Sequence, residues 1–351
     1  MLQGFFVSIG FFLSFAIGQF LVYRTIKKAV APIFKELIAA YQAICVLYAV
    51  FYYGLNEASW LIFALMILPL AYLLDSNVAF IGYLAAILLW AFYSDQEIIW
   101  FYLLVVLAAP YILRSISANR YKLSGQVIAW FMAVYLLIAV AITLKELVYS
   151  PLASVVFSSY FCSLYFFDRI FYDPKSSFIF RPFLSIRIVG MVLLAQIFSF
   201  DIWGSHLAIT WELIQEYSAL FVLIGLSFFM LRNIKKDISA IVFGGYFLLN
   251  ILCYLLTYIQ HPFIPILVAL FQSVYSVMMG IALITEAKQN HNLLLYLGGT
   301  GIIVLQIIFR VTELGVMWAV PALIVAVWGY IFVNYRYLRR WQEYASKNNT
   351  K

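Results

Sequence analysis

Charge is what this sequence has least of. Only 11% of its 351 residues are Asp, Glu, Lys or Arg, where a soluble domain carries about 25%. With 66% of the residues hydrophobic, a water-soluble fold could not hide the apolar surface, so lipid is the expected solvent. Cysteine is equally scarce. Cys45, Cys162 and Cys253 each fall inside an apolar run without a near partner. That argues against a disulfide framework or a zinc site, and for small packing residues. The three histidines make no H-E-x-x-H pattern, and there is no G-x-S-x-G, so the common zinc-peptidase and serine-hydrolase arrangements are not expected. "GGTG" at 298–301 sits within an apolar run rather than after a strand, which argues against a nucleotide loop. No cofactor is expected.

What the chain has in abundance is long apolar runs. Polar breaks divide them into thirteen candidate helices: 4–23, 37–55, 59–74, 78–93, 98–113, 126–144, 147–167, 186–203, 213–231, 238–260, 263–284, 293–309 and 314–333. Several are shorter than the ~20 residues that cross a ~30 Å hydrocarbon core, but flanking residues and local thinning cover the difference. The first run lacks a basic lead-in and is followed by Arg24, Lys27 and Lys28, so it reads as a permanent span rather than a signal peptide. The expected fold class is an all-α, polytopic helix bundle, a single transmembrane domain over 1–351 with no sizeable part outside the membrane.

The basic residues orient it. With the N-terminus outside, 20 of the 22 Lys and Arg fall in cytoplasmic loops or the tail, leaving only Lys145 and Arg310 outside. The acidic residues show no preference, as the positive-inside rule expects. The hairpin 59–93 is the weakest part of this count, because losing it as a unit would keep the alternation. Trp60, Trp90, Trp100, Trp203, Trp211 and Trp318 then stand near the outer boundary, and Trp130, Trp328 and Trp341 near the inner one, the headgroup levels that amphipathic rings favour. The expected location is a cell inner membrane, with multiple crossings.

Few polar groups lie deep in the runs. No charged residue or histidine stands near the centre of a span, where it would mark a proton or ion path. Asn250 and Gln272 each lie eleven residues from the turn at His261, hence at similar depth on antiparallel neighbours. A hydrogen bond between them is expected, and a contact with a transported molecule is the alternative. Ser150, Ser154 and Ser158 share one face of the seventh run, either packing on a neighbour or walling a polar cavity, and Pro151 is expected to kink it. On the first run, Gly10, Ser14 and Gly18 form a small-residue stripe that allows close helix approach.

Two loops carry the remaining candidates. "DRIFYDPKSSFIFRPFLSIR", 168–187, alternates aromatics with cations. It suits an interfacial strap with Lys175, Arg181 and Arg187 on anionic lipid headgroups of the cytoplasmic face. The net charge of +7 is accounted for by such loops and implies lipid rather than nucleic acid. "DIWGSHLAITWE", 201–212, with Glu216 beyond it, offers Asp201, His206, Glu212 and Glu216 on the outer side. These are metal-ligand types, but their spacing matches no metal motif. A wet turn is expected, with no metal.

The closing stretch "QNHNLLLYLGGTGIIVLQIIFRVTELGVMWAVPALIVAVWGYIFVNYRYLRRW" resembles the terminal hairpin of the DUF2157 family of bacterial membrane proteins. Asn292 and Leu293 lead in, Phe309 and Arg310 close the first span, and Arg336, Arg339 and Arg340 follow the second. "SWLIFALMILPLAYLLDS" resembles that family's helix with an internal L-P-L. The likeness covers about a quarter of the chain, and the family's usual soluble leading segment has no counterpart. It implies a bacterial membrane protein and no particular activity. The functional expectation is a non-catalytic component of a membrane or cell-envelope assembly, with membrane lipids and other integral membrane proteins as partners. A carrier or flippase for an apolar or lipid-linked molecule is the alternative, and an outer-face enzyme the third.

Overall fold

The computed structural model describes the chain except residues 1, 28–30, 53–57, 94–97, 145–146, 148–149, 174–175, 200–217, 233–237, 260, 290–291, 313–315 and 350–351. The described residues hold thirteen α-helices and one short 3-10 turn, with no strand among them. The helices are α1 (Leu2–Lys27), α2 (Pro32–Tyr52), α3 (Ala58–Leu74), α4 (Asn77–Tyr93), α5 (Ile98–Asn119), α6 (Leu123–Leu144) and α7 (Pro151–Phe171). After the turn Phe178–Phe180 come α8 (Pro182–Ile197), α9 (Ser218–Arg232), α10 (Ile238–Leu256), α11 (Phe263–Gln289), α12 (Leu293–Thr312) and α13 (Val316–Asn349). Each matches one expected apolar run. Pro32, Pro151 and Pro182 each open a helix, the position where the missing N–H would have no partner anyway. Pro151 therefore starts α7 and does not kink it, contrary to the sequence expectation.

Five described segments are long and apolar enough to cross a membrane: Pro32–Tyr52, Trp100–Asn119, Leu123–Leu144, Phe263–Gln289 and Leu293–Val311. Shorter apolar helices of 10–17 residues include Ala58–Leu74, Asn77–Tyr93 and Pro182–Ile197. The outer surface is correspondingly apolar. Phe12, Val222, Phe263, Val325 and Trp328 are each 68–74% exposed, an arrangement that water would penalise and lipid does not.

The contacts gather into two compact units, Met1–Thr143 with Phe171–Pro182, and Leu144–Ile170 with Phe183–Lys351. In the first unit, α2 lies against α1 where the sequence is small. Tyr41 donates to the Ser14 carbonyl at 3.2 Å, and a Cβ on Gly18 would run into Gln42 Oε1. Ser14 and Gly18 of the small-residue stripe thus serve packing within the chain, while a Cβ on Gly10 would meet nothing within 4 Å. Glu36, at the start of α2, caps α4 by accepting hydrogen bonds from Ser76 Oγ (2.5 Å), Asn77 N (2.9 Å) and Val78 N (3.0 Å). A carboxylate at a helix N-terminus satisfies free N–H groups and complements the dipole. Tyr72 and Tyr83 donate to the α5 carbonyls of Leu107 (2.6 Å) and Leu104 (2.7 Å), each phenol finding an acceptor on the neighbouring helix. Trp90 is buried within this unit, whereas Trp100 and Trp130 are exposed.

In the second unit, α11 and α12 meet at two glycines. A Cβ on Gly299 would stand 2.6 Å from the Gly280 carbonyl, and one on Gly280 would stand 2.8 Å from the Gly299 carbonyl. Only hydrogen fits at both positions. "GGTG" is therefore a helix crossing point. Farther along α12, Thr300 Oγ1 donates to Asn334 Oδ1 of α13 at 3.1 Å, and Tyr296 stacks on Tyr337 with ring centroids 3.7 Å apart. With 34 residues, α13 is about 51 Å long at 1.5 Å per residue. It outruns a ~30 Å hydrocarbon core and carries Arg336, Arg339 and Arg340 on its extension.

Candidate functional site

Among the described residues of the second unit, two buried polar clusters and a mostly apolar cavity bear on the expected sites. The first cluster joins α10 to α11. Gln272 Nε2 donates to Asn250 Oδ1 at 3.1 Å, so the expected hydrogen bond is present. Tyr246 Oη donates to Gln272 Oε1 at 2.7 Å, and Asn250 Nδ2 to the Tyr246 carbonyl at 2.8 Å. Cys253 Sγ lies 3.7 Å from Gln272 Nε2, and all four residues are buried. Each amide has its donor and its acceptor engaged, as burial in an apolar bundle requires. Tyr246 was not anticipated. Its signal is a tyrosine one turn before Asn250 in an apolar run, since a buried phenol seeks an acceptor.

The second cluster is the serine face of α7. Ser154 donates to the Pro151 carbonyl (2.8 Å), Ser158 and Ser159 to Val155 (3.0 and 2.7 Å), and Ser163 to Tyr160 (2.7 Å). Ser150, just ahead of the helix, donates to the Leu147 carbonyl at 2.7 Å. Turned back on their own backbone, these serines leave a smooth, small surface. Ser227 of α9 uses it, donating to the Ser159 carbonyl at 2.9 Å, so Ser154 and Ser158 lie in a packed face.

The cations of the 168–187 loop behave differently from one another. Lys175 is outside the described residues. Arg181 is buried. Arg187, expected on lipid headgroups, is 2% exposed, and this corrects the expectation. Its guanidinium lies over the rings of Tyr165 (4.6 Å) and Phe243 (5.5 Å) and reaches the Ala240 carbonyl at 3.4 Å. Aromatic faces and a carbonyl stand where water would otherwise solvate it. Asp201, His206, Glu212 and Glu216 fall outside the described residues. Among the described residues no three His, Cys, Asp or Glu side chains gather into a metal-holding group.

The open feature is a cavity of about 660 Å³, within the ~300–1,000 Å³ range of ligand sites. Ile266, Ala269, Leu270, Ser273, Val274 and Val277 of α11 form one wall, and Gln306, Ile307, Arg310 and Val311 of α12 the other, with Ser199 at the end of α8. Arg310, one of only two basic residues assigned to the outside, donates through Nη2 to the Ser199 carbonyl. That carbonyl follows a helix C-terminus, where a cation is favoured. Ser273 and Ser199 donate to their own backbones, at Ala269 and Gln196 (both 2.7 Å). Gln306 is the exception. It is 3% exposed, yet neither Oε1 nor Nε2 has a hydrogen-bond partner. An amide left so costs about 1–3 kcal/mol per unsatisfied group. The sequence signal for this wall was a glutamine four residues before an arginine in an apolar run, one helical turn apart on one face.

No family model, no curated protein and no solved structure matches this chain.

Proposed function

We propose that this chain is a multi-pass inner-membrane protein with thirteen crossings and its N-terminus outside, working as a non-catalytic component of a membrane or cell-envelope assembly. The observation that carries the reading is the apolar outer surface of helices that correspond one for one to the apolar runs. Hydrogen bonds between helix ends favour the alternation. In the first unit, Glu36 and Ser76 bond at what would be the inner side, as do Gln126 Nε2 and the Phe180 carbonyl (3.0 Å). In the second, Arg187 meets Ala240 at the inner side and Arg310 meets Ser199 at the outer. The Glu36 cap on α4 favours keeping the hairpin 59–93 in the count.

The topology is tested with single cysteines and an impermeant thiol reagent on intact cells. Positions Glu57, Gln96 and Ser205 should react, and Ser117, Ser176 and Lys347 should not. The native thiols at Cys45, Cys162 and Cys253 are free but buried, so their background should be low. Reversal at two or more sites would overturn the thirteen-crossing arrangement.

A second reading, a carrier for an apolar or lipid-linked molecule, is favoured by the cavity between α11 and α12. Such a role needs a site that is apolar along most of its length with few polar groups, and this one has that composition. The likeness of the closing hairpin to the DUF2157 family favours neither role over the other.

A further inference from the structure

We propose that the α11–α12 cavity is a binding site for a single-chain acyl lipid whose polar end carries a hydroxyl beside an ester carbonyl, bonded to the Gln306 amide. Three observations converge on it. The α11 wall is an unbroken helical stripe, with Ile266, Ala269, Leu270, Ser273, Val274 and Val277 spaced three and four apart. From 266 to 277 it runs about 16 Å, roughly half of a ~30 Å hydrocarbon core, the reach of one acyl chain in one leaflet. The cavity's volume, about 660 Å³, admits such a chain and its head.

The third observation selects the head. Gln306 lines the cavity with an amide that is buried and unpartnered at both atoms. By contrast Gln272 of α11, which faces α10 rather than the cavity, has both atoms engaged through Asn250 and Tyr246. The terminal torsion of glutamine is broad, so a small swing presents the Gln306 amide to the cavity. One face of an amide donates from nitrogen while accepting at oxygen. Its complement is a group that does both, a hydroxyl giving to Oε1 and a carbonyl taking from Nε2. A bare hydrocarbon would leave both atoms unmet, and an ester alone would leave Oε1 unmet. The hydroxyls of Ser273 and Ser199 already donate to their own backbones and Arg310 donates to the Ser199 carbonyl, whereas the Gln306 amide has neither donor nor acceptor engaged.

This inference rests on the chain being membrane-embedded. Its test is done on full-length, delipidated protein in detergent, so that a failure to bind does not reflect on topology, which thiol labelling probes separately. Two probes are compared by the rise in Tm with ligand concentration: mono-oleoylglycerol and methyl oleate, which share a chain and differ in the hydroxyls. The wild type should bind mono-oleoylglycerol more tightly. Gln306→Leu should raise the Tm of the lipid-free protein, because the unmet amide is gone. It should also weaken mono-oleoylglycerol about tenfold, the worth of one to two net hydrogen bonds. Val277→Trp, which fills the groove, should abolish binding of both probes. Equal affinity for the two probes, an unchanged affinity in Gln306→Leu, or no binding to the wild type would each overturn the proposal. Should Gln306→Leu not fold, Gln306→Met takes its place, and the two-probe comparison on the wild type decides alone.

Discussion

At the scale of single residues, the buried polar side chains differ in whether they are met. Asn250 and Gln272 satisfy each other and Tyr246, so alanine at either position should lower Tm modestly. Removing both should cost less than the sum, with a coupling of about 0.6 kcal/mol, typical of hydrogen bonds between membrane helices. Thermal unfolding of the four proteins in detergent measures this, and additive losses would mean that the hydrogen bond contributes nothing. The pair was legible in the sequence because depth can be counted from a turn. Arg187 was not. Its place near a loop suggested headgroups, whereas the rings of Tyr165 and Phe243 take its charge inside. Residue spacing gives depth along a helix, but not which neighbour the side chain meets.

At the scale of elements, the crossing of α11 and α12 depends on the absence of a side chain at two positions. Gly299 faces the Gly280 carbonyl, while a Cβ on Gly298 would meet nothing within 4 Å. Gly298→Ala should therefore be neutral or slightly stabilising, since alanine favours the helix. Gly299→Leu should force the helices apart and lower Tm by several degrees or prevent assembly. Detergent-extracted yield and melting of the two variants separate the outcomes, and equal behaviour would remove the glycine contact as the reason for the crossing. The place of "GGTG" in an apolar run argues against a nucleotide loop but does not say what the glycines are for, because Gly-rich stretches have several uses and only the neighbouring helix distinguishes them. Pro151 teaches the same lesson from the other side. A proline kinks a helix that is already under way, but the structure begins α7 there, leaving no earlier turn to break.

At the scale of the molecule, the large apolar side chains left exposed along the helices fit a protein whose helices meet lipid. If it serves as an assembly component, mild-detergent purification should bring down a stoichiometric integral membrane protein. If it serves as a carrier, the same preparation should hold lipid or solute in place of a partner. Quantitative mass spectrometry of proteins and lipids in one sample reads both. A preparation with neither at stoichiometric level would count against both roles.

The sequence by itself determined the apolar character of the chain, the number of its described helices and the stretch each occupies, though not every end: α13 runs on to Asn349, well past the expected close at 333, and α8 spans Pro182–Ile197 where 186–203 was expected. Hydropathy is a property of consecutive residues, and a backbone in lipid has to close its hydrogen bonds within each helix. The rotation of each helix about its axis, the partner it chooses and the spaces left between helices come from packing among residues far apart in sequence. Tertiary structure therefore decided that Arg187 turns inward, that the α7 serines close on their own backbone, that Gly280 meets Gly299, and that Gln306 is left beside a cavity with its amide unmet. Those contacts depend on the azimuth of whole helices, which no run of apolar residues encodes.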